Sequence, residues 1–188
     1  GVLHVERGRP AEAVPLLDEA LALRRRWLGA RHADVAITQV ELGRAYHDLG
    51  RLSEAERLFR EALALRTELF GLRHRETATS QTDLGLVLRQ RGQLEHAERL
   101  LRASLETTRA VLPADHPNVA SSWNNVALML IERGRYAEAE EPLRQSLAIK
   151  RKHFGPRHPE LGPSLSNLSW ALRELGRLDE AQRASEEA

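Results

Sequence analysis

Cysteine is absent from this 188-residue chain, so disulfides and thiolate chemistry are excluded and a reducing, cytoplasmic setting is the expectation. Lysine is nearly absent too: apart from Lys150 and Lys152, every basic residue is arginine, the bias of a GC-rich genome. There is no excess of one charge, because the formal net charge is only +1. That removes any global electrostatic reason to hold nucleic acid or an anionic membrane. No apolar run approaches the roughly 18 residues of a membrane span, and the start carries no signal-peptide pattern. A phosphate-cradling glycine loop, an HExxH zinc motif and a nucleophile elbow are all missing. An independent enzyme is therefore not expected, and neither is a cofactor. What remains is an ordinary folded composition, 41% apolar and 29% charged, in a length that suits one domain.

Against these absences stands a strict period. Gly8, Gly50, Gly92, Gly134 and Gly176 lie 42 residues apart, as do His32, His74, His116 and His158. Ala13, Ala55, Ala97, Ala139 and Ala181 keep the same step. A period of this length marks stacked repeats, each burying its apolar face only against its neighbours. The fold class this predicts is all-α, a solenoid of stacked helix-turn-helix units over 1–188. Complete units are read at 37–78, 79–120 and 121–162, with partial units at 1–36 and 163–188. The chain starts at Gly1 and stops at Ala188 within the pattern, and is read as a piece of a longer array.

Each unit reads as two helices. In the first complete unit one helix is placed at about 34–49, with Val40, Leu42, Gly43, Tyr46 and Leu49 at mixed gaps of two, three and four. Those gaps fit a broadly buried helix better than a strand. Gly50-Arg51 ends it, since glycine readily takes the left-handed conformation of a helix stop. The second helix is placed at about 52–70 and closed by Gly71; Gly29, Pro113 and Gly155 close the equivalent helices. The repeating histidine then stands at the entrance to the next helix, followed by proline in His116-Pro117 and His158-Pro159, where proline suits a first turn. Gly162-Pro163 interrupts the last unit, whose first helix is expected to kink or begin late.

These columns resemble the tetratricopeptide repeat. Its W-x₂-L-G-x₂-Y…A-x₃-F pattern is met by Gln39, Leu42, Gly43, Tyr46, Ala55 and Phe59, and again by Trp123, Val126, Ala127, Leu130, Ala139 and Leu143. The usual unit has about 34 residues; the longer form here, with a histidine-proline pair between helices and "GRYAEAE" at the turn, is similar to the kinesin-light-chain subclass. Such repeats are often appended to bacterial kinases, proteases and nucleotide-switch proteins, so the resemblance implies a bacterial source and a longer parent protein. It also implies that the first helices line a concave groove. The groove columns give Val40, Arg44, His47 and Asp48, then Thr82, Leu86, Arg89 and Gln90. The next layers give Asn124, Leu128, Ile131 and Glu132, then Ser166, Trp170, Arg173 and Glu174.

Leu86, Leu128, Ile131 and Trp170 would form an apolar stripe, the usual mark of a partner site. Arg44, Arg89 and Arg173 beside it could pair with ligand carboxylates. Asn124, Asn125 and Asn167 could hold a peptide backbone without reading its sequence. The expected function is thus a protein–protein interaction module whose partner is a protein or peptide, acidic with an apolar anchor. The alternative is a regulatory arm of a larger signalling protein, with the columns packed against its own chain or the open repeat ends self-associating weakly.

Other motifs carry less. Equivalent histidines should lie on the order of 10 Å apart, the width of a helix layer, while zinc needs nitrogens at about 2 Å; they are read as capping residues, with no metal. Glu138, Glu140 and Glu141 are a solvated helix face. Arg24-Arg25-Arg26 and Lys150-Arg151-Lys152 share one register and complement helix C-termini, or else contact an acidic partner. Trp123, in a packing column, is expected in the core.

Overall fold

Helix starts and stops follow the repeating histidines and glycines. The computed structural model describes residues 9–188. Among them are nine α-helices: α1 (Pro10–Leu28), α2 (Ala33–Asp48), α3 (Leu52–Phe70), α4 (Arg75–Gln90), α5 (Leu94–Val111), α6 (Pro117–Glu132), α7 (Tyr136–Phe154), α8 (Gly162–Glu174) and α9 (Leu178–Glu187). No strand occurs among the described residues. The sequence placed two of these helices at 34–49 and 52–70, within a residue of α2 and α3. The stump expected at 1–7 and Gly8 lie outside the described residues.

The local causes are legible. His32, His74, His116 and His158 are N-caps: each Nδ1 accepts from the backbone N–H two residues on, at 3.1, 3.2, 3.1 and 3.2 Å. An imidazole acceptor satisfies one of the orphan donors that every helix start presents. The aromatic ring ending the previous helix packs on the cap, with Phe70 stacked on His74 at 4.6 Å and Phe154 on His158 at 4.8 Å. Gly50 has φ +72°, which an L side chain rarely adopts, so the turn between α2 and α3 requires it.

The chain forms two compact units, Gly1–Leu100 and Leu101–Ala188, with the boundary inside α5. In unit 1, α2 packs between α1 and α3, and α4 packs on α3. Gly43 is needed here for closeness: a Cβ at that position would lie 2.7 Å from the Phe59 ring. A cation joins successive layers. Arg24 donates to the carbonyl of Asp34 and the hydroxyl of Thr38. Buried Arg66 repeats this with the Glu76 carbonyl at 3.0 Å and the Ser80 hydroxyl at 3.1 Å, and pairs with the Glu76 carboxylate at 2.9 Å. Arg24 therefore serves the start of the next helix rather than the end of its own.

Unit 2 repeats the clamp with lysine. Buried Lys150 donates to the Glu160 carbonyl at 2.8 Å and the Ser164 hydroxyl at 3.1 Å. Burial pulls the Lys150 ammonium and the Arg66 guanidinium below their ordinary ranges. Trp123 packs, half-buried, on Val119, Ala120, Leu112 and Ile149, with the Arg109 guanidinium 5.1 Å from its ring centre. The interruption at Gly162-Pro163 turns the helix entrance into a short 3₁₀ segment, Pro159–Leu161, and α8 begins late at Gly162.

Candidate binding surface

Within each unit the first helices present an open face, and the residues on it differ in chemistry. In unit 1 this face belongs to α2 and α4. Arg44 reaches across it to Asp83, with Nη2 2.9 Å from Oδ2 and 3.2 Å from Oδ1. Asp83 is largely covered, and burial raises its carboxyl above the ordinary carboxylate range against the opposing pull of Arg44. Glu41, one turn before Arg44, is raised for the same reason, with Arg24 and Arg44 pulling the other way. His47 lies 3.4 Å from Asp48 Oδ1 at the end of α2. Leu86 and Arg89 are half-buried on α4. Arg44, expected to await a ligand, already has a carboxylate partner in its own unit.

In unit 2 the face belongs to α6 and α8 and is neutral at its centre. Asn167 donates an amide N–H to Asn124 Oδ1 at 3.2 Å, joining the two helices. Leu128 is half-buried, and Trp170 in the same register on α8 is 39% exposed. Ser166 and Arg173 are exposed around it. Sequence columns had placed Ile131 and Val40 on this open face, and the structure corrects both. Ile131 is 1% exposed and Val40 is buried. Column position sets where a Cα–Cβ bond points, but a short branched aliphatic chain folds back onto neighbouring helices. A long polar chain at the same register carries its head to water, as the exposed Arg173 does.

The carboxylates at Glu41 and Asp83 were not singled out in the sequence, although their register shows them. The same column holds Glu41, Asp83, Asn125 and Asn167, a change from acid to amide between the units. The chemistry available on these faces is hydrogen bonding, ion pairing and apolar contact. Among the described residues no group of three or more His, Asp or Glu side chains is placed to hold a metal ion, and no helix is long and apolar enough to cross a membrane.

Comparison with known proteins agrees with this architecture. The tetratricopeptide repeat model matches residues 1–68, 34–110, 76–152 and 118–188, in overlapping segments that together span the chain. A crystal structure of nearly identical TPR-like repeats, described as a kinesin light chain of Podosopora anserina, is 29% identical, with a TM-score of 0.85 over 98% of this chain and 87% of that one. BtubC from P. vanneervenii is 24% identical, with a TM-score of 0.86 over 98% of this chain and 73% of that one. The apo form of RapI shares the fold at 17% identity and a TM-score of 0.78, and this chain spans about half of it, 48%. No curated protein matches the sequence closely enough to count as a relative. Repeats of this kind are in general non-enzymatic scaffolds that bind other proteins, which fits faces built for contact rather than reaction. The chain belongs to the tetratricopeptide repeat family, in its kinesin-light-chain-like form.

Proposed function

We propose that the chain holds an extended segment of a partner protein on the open faces of its first helices. One observation carries the reading: Trp170 stands 39% exposed on α8, beside half-buried Leu128 and the Asn124–Asn167 amide pair. A large ring left open on a helix face, next to amides that can bond a peptide backbone, is the composition of a binding hot spot. Ser166 and Arg173 border it in unit 2, and Arg44, His47, Leu86 and Arg89 stand on the corresponding face of unit 1. Arg44 would select an acidic ligand only by exchanging Asp83 for the ligand's carboxylate. Ile131 has no part in this contact, being core.

The test is a panel of fluorescein-labelled peptides that combine one Leu, Phe or Trp anchor with flanking acidic or neutral residues, read by polarisation. In Trp170→Ala the best peptide should bind about 30-fold more weakly, the loss of a hot-spot aromatic at roughly 2 kcal/mol. The melting temperature should stay near that of the parent. Equal affinity in the variant, or a melting temperature several degrees lower, would reject the assignment.

A further inference from the structure

The turns that lead from α1 to α2 and from α3 to α4 stand one repeat apart on the same edge of unit 1, joined by the Arg31–Glu68 ion pair. Both carry exposed apolar side chains. Trp27 is 74% exposed at the end of α1, with Leu28 beside it, and Leu72 is 64% exposed in the second turn.

Register, rather than place in the chain, leaves this edge open. Leu16 and Leu23 are exposed on α1, but at the same register of α3 Leu58 and Leu65 are buried, so that stripe is a surface repeats use to stack. Trp27 and Leu28 behave otherwise. Their counterparts Leu69 and Phe70 stay 38% exposed although α3 is packed against both α2 and α4. An apolar edge that stacking does not cover, with an aromatic at its tip, is a docking surface by its composition.

Its charge identifies the occupant. The Arg26 guanidinium lies 5.6 Å from the centre of the Trp27 ring. Arg73 is exposed, and Arg75 is exposed with its carboxylate neighbour Glu76 3.6 Å away and already bound to Arg66 at 2.9 Å. These arginines surround the apolar tips with donors suited to carboxylates. Glu68 stands among them, exposed. A continuous layer of anionic lipid heads would repel it, whereas separate carboxylates on a folded or extended chain can pass to either side. We propose that this edge of unit 1 docks an acidic protein segment with an apolar anchor. The anchor lies against Trp27 and Leu72, and the carboxylates pair with Arg26, Arg73 and Arg75. The surface is separate from the open faces of the first helices and does not depend on their role.

The chain carries three tryptophans, at 27, 123 and 170, so indole N–H resonances of the ¹⁵N-labelled protein report each region separately once Trp27→Phe has assigned the first. The probe is a capped synthetic peptide of Glu-Glu-Leu repeats. Parallel titrations use the same peptide with Lys for Glu, and vesicles of phosphatidylcholine and phosphatidylglycerol in equal parts. The Trp27 resonance should move saturably with the acidic peptide alone, while Trp123 stays in place. Arg73→Glu with Arg75→Glu, on exposed positions, should weaken the acidic peptide about tenfold or more, as opposed charges at a rim do. A saturable shift confined to Trp170 would support the first-helix face and overturn this edge. No shift at Trp27, an equal response to the lysine peptide, or a response to vesicles alone would overturn it as well.

Discussion

At one register of the first helices unit 1 carries Glu41 and Asp83, and unit 2 carries Asn125 and Asn167. The contrast extends inward. Unit 1 buries Gln39, Gln81, Glu56 and Arg66, and Glu56 is held by Arg60 and Arg91. Unit 2 fills matching layers with Met129, Leu130, Ile131, Leu143 and Leu147, and its buried cation Lys150 contacts only a carbonyl and a hydroxyl. Even the small residue beneath the second helix differs: Gly43 makes room for Phe59 in unit 1, where unit 2 has Ala127 with Leu143. One backbone plan thus tolerates two kinds of interior. Apolar contact is insensitive to pH and salt, whereas buried polar groups hold only while each keeps its partner. Unit 1 should be the less stable and the more condition-dependent of the two.

The strongest way to break that contrast is to remove aliphatic volume from unit 2. Ile131→Ala should cost about 3 kcal/mol, the usual range for a fully buried aliphatic residue. Amide exchange should show the loss mainly in α6 and its neighbours α7 and α8. A small effect would return Ile131 to the open face. Next in size is the clamp of unit 1. Arg66→Met removes the donors that satisfy the Glu76 carbonyl and Ser80 hydroxyl and should cost about 2 kcal/mol in a denaturant melt. An unchanged midpoint would show that water replaces the guanidinium without loss.

Gln81→Leu works in the opposite direction. Its Oε1 is buried without a hydrogen-bond partner, so a leucine of similar volume should stabilise unit 1 by about 1 kcal/mol. Destabilisation would mean that the amide has a role the packing does not reveal. The smallest effect is expected at Asp83. Its raised carboxyl lets the folded state keep a proton to higher pH than the unfolded chain does. The associated stability is present below the ordinary aspartate range and is lost as pH rises through the raised one. Asp83→Asn gives unit 1 the amide of unit 2. It should flatten that slope and add less than about 1 kcal/mol at neutral pH. If the slope persists in the variant, its source is another group, with Glu41 the first to examine.

The helices were legible in the sequence because their signals are local. A cap acts over two residues and a left-handed glycine over one turn, so a 42-residue period in His and Gly carries boundaries with it. Side-chain ends were not legible in the same way. The Arg44–Asp83 pair joins residues 39 apart on different helices, and no column pattern distinguishes an arginine waiting for a ligand from one already paired. The position of Ile131 shows the same limit from the apolar side: its column holds His47, Arg89 and Arg173, three long or polar chains that suggested an open face. Arg24 was read against its own helix end because sequence proximity favoured it, while its hydrogen bonds run to the next helix.

The histidine caps also fix where each imidazole carries its proton. A backbone N–H can only donate, so Nδ1 of His32, His74, His116 and His158 must be the bare nitrogen, and the proton sits on Nε2. His47 is the reverse, since its Nδ1 faces a carboxylate oxygen that can only accept, leaving Nε2 bare. Acylating reagents such as diethylpyrocarbonate attack the bare nitrogen. The four caps have that atom turned into a helix end, whereas His47 offers it on the open face, so one imidazole chemistry divides into a shielded set and a reactive residue along a single chain.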